Sequence, residues 1–204
     1  NASRGVYIDA QTAGRNLTFA LTDAATLDIC TSGVPFYILG NQKAMNSTVK
    51  LTSTGVSNFE RTAENSVFLI EKSRNTVVEI KNGTYNMEQT AVGQNGNAAV
   101  RFDSYAGIPY DNSTQIDVTI EDATLNVTVA EGSSKETATY AQGLQISGFS
   151  GSEMNIIGTS KVNVSLNSST VPGFGFAVIG ADGHVKDSAE LNGVSTGHTE
   201  GKAL

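Results

Sequence analysis

Several residue types are scarce in this chain of 204 residues, which has one Cys, three Pro, two His and no Trp. The single cysteine, Cys30, excludes an internal disulfide framework and any CxxC metal site. No run of 18 apolar residues is present, so the sequence contains no candidate transmembrane helix. No window keeps an apolar face at i, i+3, i+4 and i+7 for three turns, which also argues against long amphipathic helices.

Basic residues are also few. Lys and Arg total 13 against 20 Asp and Glu, and the net charge is -7. No basic cluster is available to neutralise phosphates, so we expect no nucleic acid partner. Charged residues make up only 16% and hydrophobic residues 39% of the chain, a balance typical of a packed core rather than of disorder. We expect one domain over residues 1–204, since this length suits a single large domain.

What the chain does contain is a recurring set of three short alternating segments, which predicts strands joined by tight bends. The first segment recurs at 5–10, 35–40, 66–71, 99–104, 143–148 and 176–181. The second recurs at 17–21, 48–52, 77–81, 115–120, 154–157 and 184–186. The third recurs at 25–30, 55–60 (slightly out of phase), 83–88, 123–128, 160–165 and 189–194.

An asparagine stands just before the second segment in four consecutive units. These residues are Asn16, Asn46, Asn75 and Asn112, at intervals of 30, 29 and 37 residues, and Gly151 and Gly183 stand near the same place later on. Asn and Gly tolerate positive φ better than other residues. A bend repeated at this interval indicates a solenoid. If the units stack, the side-chain amides of these bends are expected to form a hydrogen-bonded ladder.

With these bends and three strands per unit, the chain resembles the right-handed parallel β-helix superfamily over about residues 5–195. That superfamily includes pectate-lyase-like enzymes and bacterial surface adhesins. The predicted fold is therefore all-β, a right-handed parallel β-helix of about six turns with three strands per turn. Residues 187–204 are expected to form a loose C-terminal segment. An antiparallel β-sandwich also has many short alternating strands and is the alternative fold.

The resemblance implies several possible functions, because members of this superfamily differ in what they do. We expect a non-catalytic, extracellular or cell-surface module of the adhesin type, which binds carbohydrate or a protein partner. One alternative is a polysaccharide lyase or hydrolase of the pectate-lyase-like type. A second alternative is a structural subunit that associates end to end into a filament, because a solenoid exposes unpaired strand edges at its ends.

The stretch 101–111 is the best candidate for ligand binding. It concentrates Tyr105, Tyr110, Asp103 and Asp111 near a Gly and a Pro. Tyrosine rings can stack on sugars, while carboxylates accept hydrogen bonds from hydroxyls or hold Ca²⁺. A solvated bend with two half-buried tyrosines would show the same pattern.

A candidate metal site consists of Glu71 and Asp103. Both follow an inward-facing residue at the end of the first segment, in adjacent units, so stacking would bring them to roughly 5 Å of each other. The pair could bind Ca²⁺ or share a proton, or it could consist of corner charges relaxed by water and by Arg101. No other cofactor is expected. No GxSxG, HExxH or Walker pattern is present, so we assign no catalytic residue.

Eight N-x-S/T sequons are present, which is more than the Ser and Thr content gives by chance and favours a glycosylated extracellular protein. The acceptors are Asn1, Asn16, Asn46, Asn82, Asn112, Asn126, Asn163 and Asn167. The repeat itself explains part of this excess, because several of these asparagines occupy bends or outward strand positions. An asparagine held in a ladder between units would be a poor glycan acceptor.

Overall fold

A computed structural model describes residues 4–9, 16–39, 46–63, 66–90, 98–104, 115–129, 141–148, 151–167 and 173–195. Within these ranges there are 18 strands and no helix. In chain order the strands are β1 (Arg4–Asp9), β2 (Leu17–Leu21), β3 (Asp28–Thr31), β4 (Val34–Leu39), β5 (Ser47–Leu51), β6 (Val56–Arg61), β7 (Phe68–Ser73), β8 (Thr76–Lys81), β9 (Thr84–Gln89), β10 (Ala98–Ser104), β11 (Ile116–Glu121), β12 (Thr124–Val129), β13 (Ala141–Ser147), β14 (Glu153–Ile157), β15 (Lys161–Leu166), β16 (Gly173–Ile179), β17 (Asp182–Val185) and β18 (Glu190–Ser195).

The strands form three parallel sheets of six strands each. The first sheet has the order β1-β4-β7-β10-β13-β16, the second β2-β5-β8-β11-β14-β17 and the third β3-β6-β9-β12-β15-β18. Three successive strands make one rung, so six rungs form a right-handed parallel β-helix, as the sequence predicted. Every pairing of these strands is parallel, which excludes the antiparallel sandwich.

Alternation within each strand decides which side chains fill the column. In β12, Leu125 and Val127 are fully buried and Asn126 between them is only half-buried. Register repeats this arrangement from rung to rung, so that Val49, Val78 and Val118 lie in one buried column. A single rung could not hide its apolar side chains from water, whereas stacked rungs share one continuous hydrophobic core.

The corner between the second and third sheets is built from residues that accept positive φ. Its members are Asp23 (φ 60°), Asn82 (φ 64°), Asp122 (φ 51°), Gly158 (φ 70°) and Asp187 (φ 62°). Asp, Asn and Gly are the residue types that reach this left-handed region at least cost. Tight bends of this kind leave only a few residues between the strand of the second sheet and that of the third.

At the corner between the first and second sheets, two of the bend residues differ from those that the sequence predicted. Asn75 has a positive φ of 45° and donates from Nδ2 to Asn46 Oδ1 at 3.3 Å, so one ladder step exists there. The next position of that column is Gln115 rather than Asn112, because Thr76 N donates to Gln115 O at 3.0 Å. Gly183 lies inside β17, and the positive φ of 63° belongs to Gly180.

Two other expectations about strand position also change. The third strand of the second rung, expected to be out of phase, is in register, since Asn58 pairs with Asp28 on one side and Asn86 on the other. β18 lies inside the segment 187–204 that we expected to be loose, and it pairs with β15. Residues 196–204 lie outside the described part of the chain.

Candidate functional site: the outward face of the first sheet

The outward face of the first sheet differs from the other two outward faces. The outward side chains of the described strands in the second and third sheets are all exposed or half-buried. On the first sheet, several outward side chains are buried although they point away from the core: Tyr37, Leu39, Leu69, Asp103 and Gln145.

A cation and two aromatic rings lie together at the N-terminal end of this face. Tyr7 and Tyr37 are in register on β1 and β4, with ring centroids 5.3 Å apart. The guanidinium of Arg4 lies 4.0 Å from the centroid of the Tyr7 ring and 5.0 Å from that of Tyr37. Tyr37 is buried, but 38% of Tyr7 is exposed. Cation–π attraction therefore fixes the position of a ring that solvent can reach.

Carboxylates hold both tyrosines by their hydroxyl groups. Tyr7 donates to Asp9 Oδ2 at 3.0 Å, and Tyr37 donates to Glu71 Oε1. Burial and then the hydrogen bond to Glu71 raise the pKa of Tyr37 well above its ordinary value. Both tyrosines therefore stay neutral donors at physiological pH, and Arg4 is the cation of this group.

The predicted pair of Glu71 and Asp103 follows two residues that are neighbours in the sheet. Ile70 and Phe102 are paired, after which β7 and β10 go out of register before Ser104. Burial raises the pKa of Asp103, the charge of Arg101 opposes this, and the charge of Glu71 adds to the rise. Asp103 therefore lies within the electrostatic influence of both Arg101 and Glu71.

Both carboxylates already have hydrogen-bonding partners. Arg101 Nη2 lies 2.5 Å from Asp103 Oδ2, and Glu71 accepts the bond from Tyr37. Asp103 Oδ1 is buried and has no hydrogen-bond partner among the described residues. Ca²⁺ takes six to eight oxygen ligands, so these two side chains alone offer it too few. Among the described residues, no group of three or more His, Cys, Asp or Glu is arranged to hold a metal ion.

The other residues of the candidate loop lie outside the described part of the chain, namely Tyr105, Tyr110 and Asp111. Sequence reasoning singled out Asp103 but missed Arg4, Tyr7 and Tyr37. Their signal was present in the aligned first segments GVYIDA and PFYILG, where a tyrosine follows the inward residue in two consecutive units.

The continuous asparagine ladder lies on the outward face of the third sheet instead of at the predicted bend. Five side chains form it, each Nδ2 donating to the Oδ1 of the rung before, at 2.8 to 3.1 Å: Asn192 to Asn163, Asn163 to Asn126, Asn126 to Asn86, and Asn86 to Asn58. Asp28 occupies the same column in the first rung. The signal for it was the asparagine at the centre of the third segment in five units.

The ladder divides the sequons into two groups. Asn126 and Asn163 are half-buried and use their amides within the ladder. Exposed acceptors are found at Asn16, Asn46, Asn82 and Asn167. Asn1 and Asn112 lie outside the described residues.

No protein-family model matches the chain, and comparison with curated proteins and with solved structures finds no similar one. In the described ranges there is no helix long and apolar enough to cross a membrane.

Proposed function

We propose that this chain is a non-catalytic β-helix module of an extracellular or cell-surface protein, similar in role to adhesins, and that it binds carbohydrate. The observation that carries the proposal is the exposed Tyr7 ring, held by Arg4 on one side and flanked by Asp9. It lies at one end of the outward face of the first sheet.

The chemistry of this group suits a sugar. An aromatic ring stacks on the apolar C–H face of a pyranose, while charged side chains at its rim exchange hydrogen bonds with hydroxyl or carboxylate substituents. The ring is fixed in advance, because Tyr37 below it is bonded to Glu71 and both rings share the Arg4 cation. Preorganisation reduces the entropy lost on binding.

Two further observations support an extracellular location. The resemblance to surface β-helices implies it, and four sequon acceptors are exposed on the column. Intact mass of the native protein tests this part of the proposal. Added glycan masses, assigned to sites by peptide mapping, are expected at Asn16 and Asn167 rather than at Asn46 and Asn82, whose amides bond to Asn75 and to Thr52 O of neighbouring rungs. A mass that equals the bare sequence would argue against it.

Binding is tested on a glycan panel with the wild-type chain, Tyr7→Ala and Val56→Ala. Val56 is an exposed apolar residue on the third sheet, far from the Arg4–Tyr7 group. We expect Tyr7→Ala to weaken binding about tenfold, since an aromatic contact contributes about 0.5–1.5 kcal/mol beyond the area that it buries, and Val56→Ala to leave it unchanged. Equal binding by both variants would overturn this assignment. Binding to a protein surface but to no glycan would identify a protein partner instead.

An enzyme of the polysaccharide lyase or hydrolase type is the second candidate, and one observation favours it. Asp103 is 8% exposed, its pKa is raised by burial, Arg101 is ion-paired with it, and the charge of Glu71 raises its pKa further. A base with a raised pKa beside a cation is a recurring arrangement in catalysis. Turnover of a polyuronate panel, with and without added Ca²⁺, that disappears in Asp103→Ala would establish the enzyme. Equal inactivity of both proteins would leave the binding module.

A further inference from the structure

The asparagine ladder of the third sheet leaves hydrogen-bonding groups unused at successive rungs. A side-chain amide carries two N–H donors and an oxygen with two lone pairs. Asn126 uses one donor towards Asn86 at 2.8 Å and one lone pair towards Asn163 at 2.9 Å. Asn86 and Asn163 are bonded in the same way on both sides. Each of these three amides therefore keeps one N–H and one lone pair that have no partner among the described residues.

The surroundings of the ladder are short and almost uncharged in these three rungs. Among the outward side chains of β9, β12 and β15, only Glu88 and Lys161 are charged, and they have opposite signs. The other flanking positions carry hydroxyl groups: Thr84, Thr124, Thr128 and Ser165. No long side chain stands beside Asn126 on its own strand, so an extended partner can approach its amide.

We propose that the outward face of β9, β12 and β15, called the ladder face below, binds an extended, neutral, β-1,4-linked polysaccharide whose chain runs along the column. Rungs repeat about every 4.8 Å, which is close to the length of one hexose in such a chain. One sugar residue therefore meets one asparagine. Because it rests on the carbohydrate-binding role proposed above, this surface is a second one beside the Arg4–Tyr7 group.

The chemistry of an amide suits a row of sugar hydroxyls. A hydroxyl group both donates and accepts, so it can bond to the unused N–H or to the unused lone pair of each asparagine. Successive residues of an extended β-1,4-linked chain alternate in orientation, and an amide has a partner for either orientation. Many weak bonds of this kind add up only when the spacings of the two partners agree.

Charge and shape select among polysaccharides. Lys161 is the single cation among the outward side chains of β9, β12 and β15, so a polyuronate or a sulfated chain would find no row of positive charges. An α-1,4-linked glucan coils and would leave a straight row of amides after a few residues. The ladder face therefore fits a neutral chain that stays extended.

The ladder also keeps this face clear of glycans attached to the protein itself. Asn126 and Asn163 belong to sequons, but their amides are bonded to neighbouring rungs. Asn86, between Tyr85 and Met87, does not belong to a sequon. A glycan on any of the three would cover the row of amides. Peptide mapping of the native protein is expected to find Asn126 and Asn163 unmodified.

Dependence on ligand length tests whether binding runs along the column. Isothermal titration calorimetry would compare soluble cello- and chito-oligosaccharides of two to six residues. We expect affinity to rise with each added residue up to about five, which is the number of asparagines in the ladder. Malto-oligosaccharides of the same lengths, which are α-1,4-linked, should bind at least about tenfold more weakly. Affinity that stops rising at two residues would overturn the proposal.

Two double variants test the face itself. Thr124→Met with Thr128→Met places long side chains without N–H or O–H donors on both sides of Asn126. Thr48→Met with Thr119→Met is the matched control, because these threonines are also outward and half-buried but lie on the second sheet. The first variant should bind the five-residue ligand at least about tenfold more weakly, and the control should bind like the wild type. Thermal unfolding confirms that both fold. Equal binding by the two variants would overturn the proposal.

The variant Tyr7→Ala separates this inference from the proposed function. Loss of binding in Tyr7→Ala alone would leave the proposed function in place and overturn the ladder face. Loss in the Thr124 and Thr128 variant alone would establish the ladder face and remove the assignment of the site to Tyr7. A wild type that binds no β-1,4-linked oligosaccharide would overturn the ladder face. Self-association that the same double variant abolishes would show that a second copy covers it, with the same consequence.

Discussion

The asparagine side chains of the third sheet satisfy a requirement that stacking itself creates. Identical outward positions lie about 4.8 Å apart along the column, so like charges there would repel each other in every rung. An amide avoids this, because it carries one donor side and one acceptor side and can bond to a copy of itself. Asn126 does both at once, donating to Asn86 and accepting from Asn163.

Replacing the central member of the ladder tests how much this stabilises the fold. Asn126→Ala removes two side-chain hydrogen bonds and leaves half-buried partners unsatisfied, so we expect a loss of about 1–2 kcal/mol in the free energy of unfolding. Asn155→Ala is the control, because Asn155 lies outward on β14 and bonds to Glu153 of its own strand. Urea denaturation of both variants makes the comparison. Equal losses would show that the ladder adds nothing beyond an ordinary surface hydrogen bond.

Asp103 gives a prediction about pH. Burial raises its folded-state pKa, with a further rise from Glu71 and an opposing effect of Arg101. A raised carboxyl pKa means that the folded state favours the protonated form. Its stabilising contribution is therefore complete below the unfolded pKa of about 3.9 and is lost as pH rises through the folded value. Asp103→Asn, neutral at every pH, should lose this dependence. Denaturation between pH 3 and pH 7 should show the wild type losing stability relative to the variant, and a constant difference would contradict the assignment.

The strands were largely predictable because alternation is a local property. The prediction of 77–81 corresponds to β8 at Thr76–Lys81, and that of 123–128 corresponds to β12 at Thr124–Val129. Connection lengths are not local, and they caused the errors. Asn112 appeared to continue the bend column at an interval of 37 residues, yet the register places Gln115 above Asn75. Extra residues in the chain before β11 place Asn112 ahead of the bend position, while β11 itself keeps its register with β8.

The candidate site was predictable in part for the same reason. Glu71 and Asp103 follow Ile70 and Phe102, and counting residues correctly placed those two inward residues beside each other. Predicting the Arg4–Tyr7–Tyr37 group would also require the side-chain conformations. The sequence places the two rings on adjacent strands, but it does not show that Arg4 lies over both of them. Side-chain direction of that kind is set by packing and not by periodicity.

The aromatic residues of the core join strands of different sheets. Phe36 and Phe68 stack in parallel with centroids 4.3 Å apart, and Phe59 meets both of them edge-on from the third sheet. Phe68→Ala is expected to cost about 3–5 kcal/mol, because it removes a fully buried ring and leaves a cavity. Phe68→Leu should cost clearly less. Thermal and urea unfolding provide the measurement, with Phe174→Ala, an exposed ring on β16, as the control. Equal effects of the two alanine variants would show that the stack is not a structural centre.

Taken as one molecule, the column is nearly one-dimensional, because each described strand pairs with strands of the neighbouring rungs in its sheet. The free energy of unfolding is then close to the sum of the contributions of the single rungs and of the interfaces between neighbouring rungs. A middle rung has two interfaces, while an end rung has one among the described residues. Opening should therefore begin at the ends and proceed inward, and the exposed Val185 marks one of the two starting points.

Hydrogen exchange tests this gradient within a single column. The amides of Leu17, Ser47 and Thr76 each donate to the carbonyl of the next rung, to Asn46, Asn75 and Gln115 respectively. They differ mainly in their distance from the N-terminal end. After correction for intrinsic rates, protection should rise from Leu17 to Thr76 by at least about tenfold. Uniform protection of all three amides in dilute solution would mean that the rungs unfold as one cooperative unit, and the additive description of the column would be wrong.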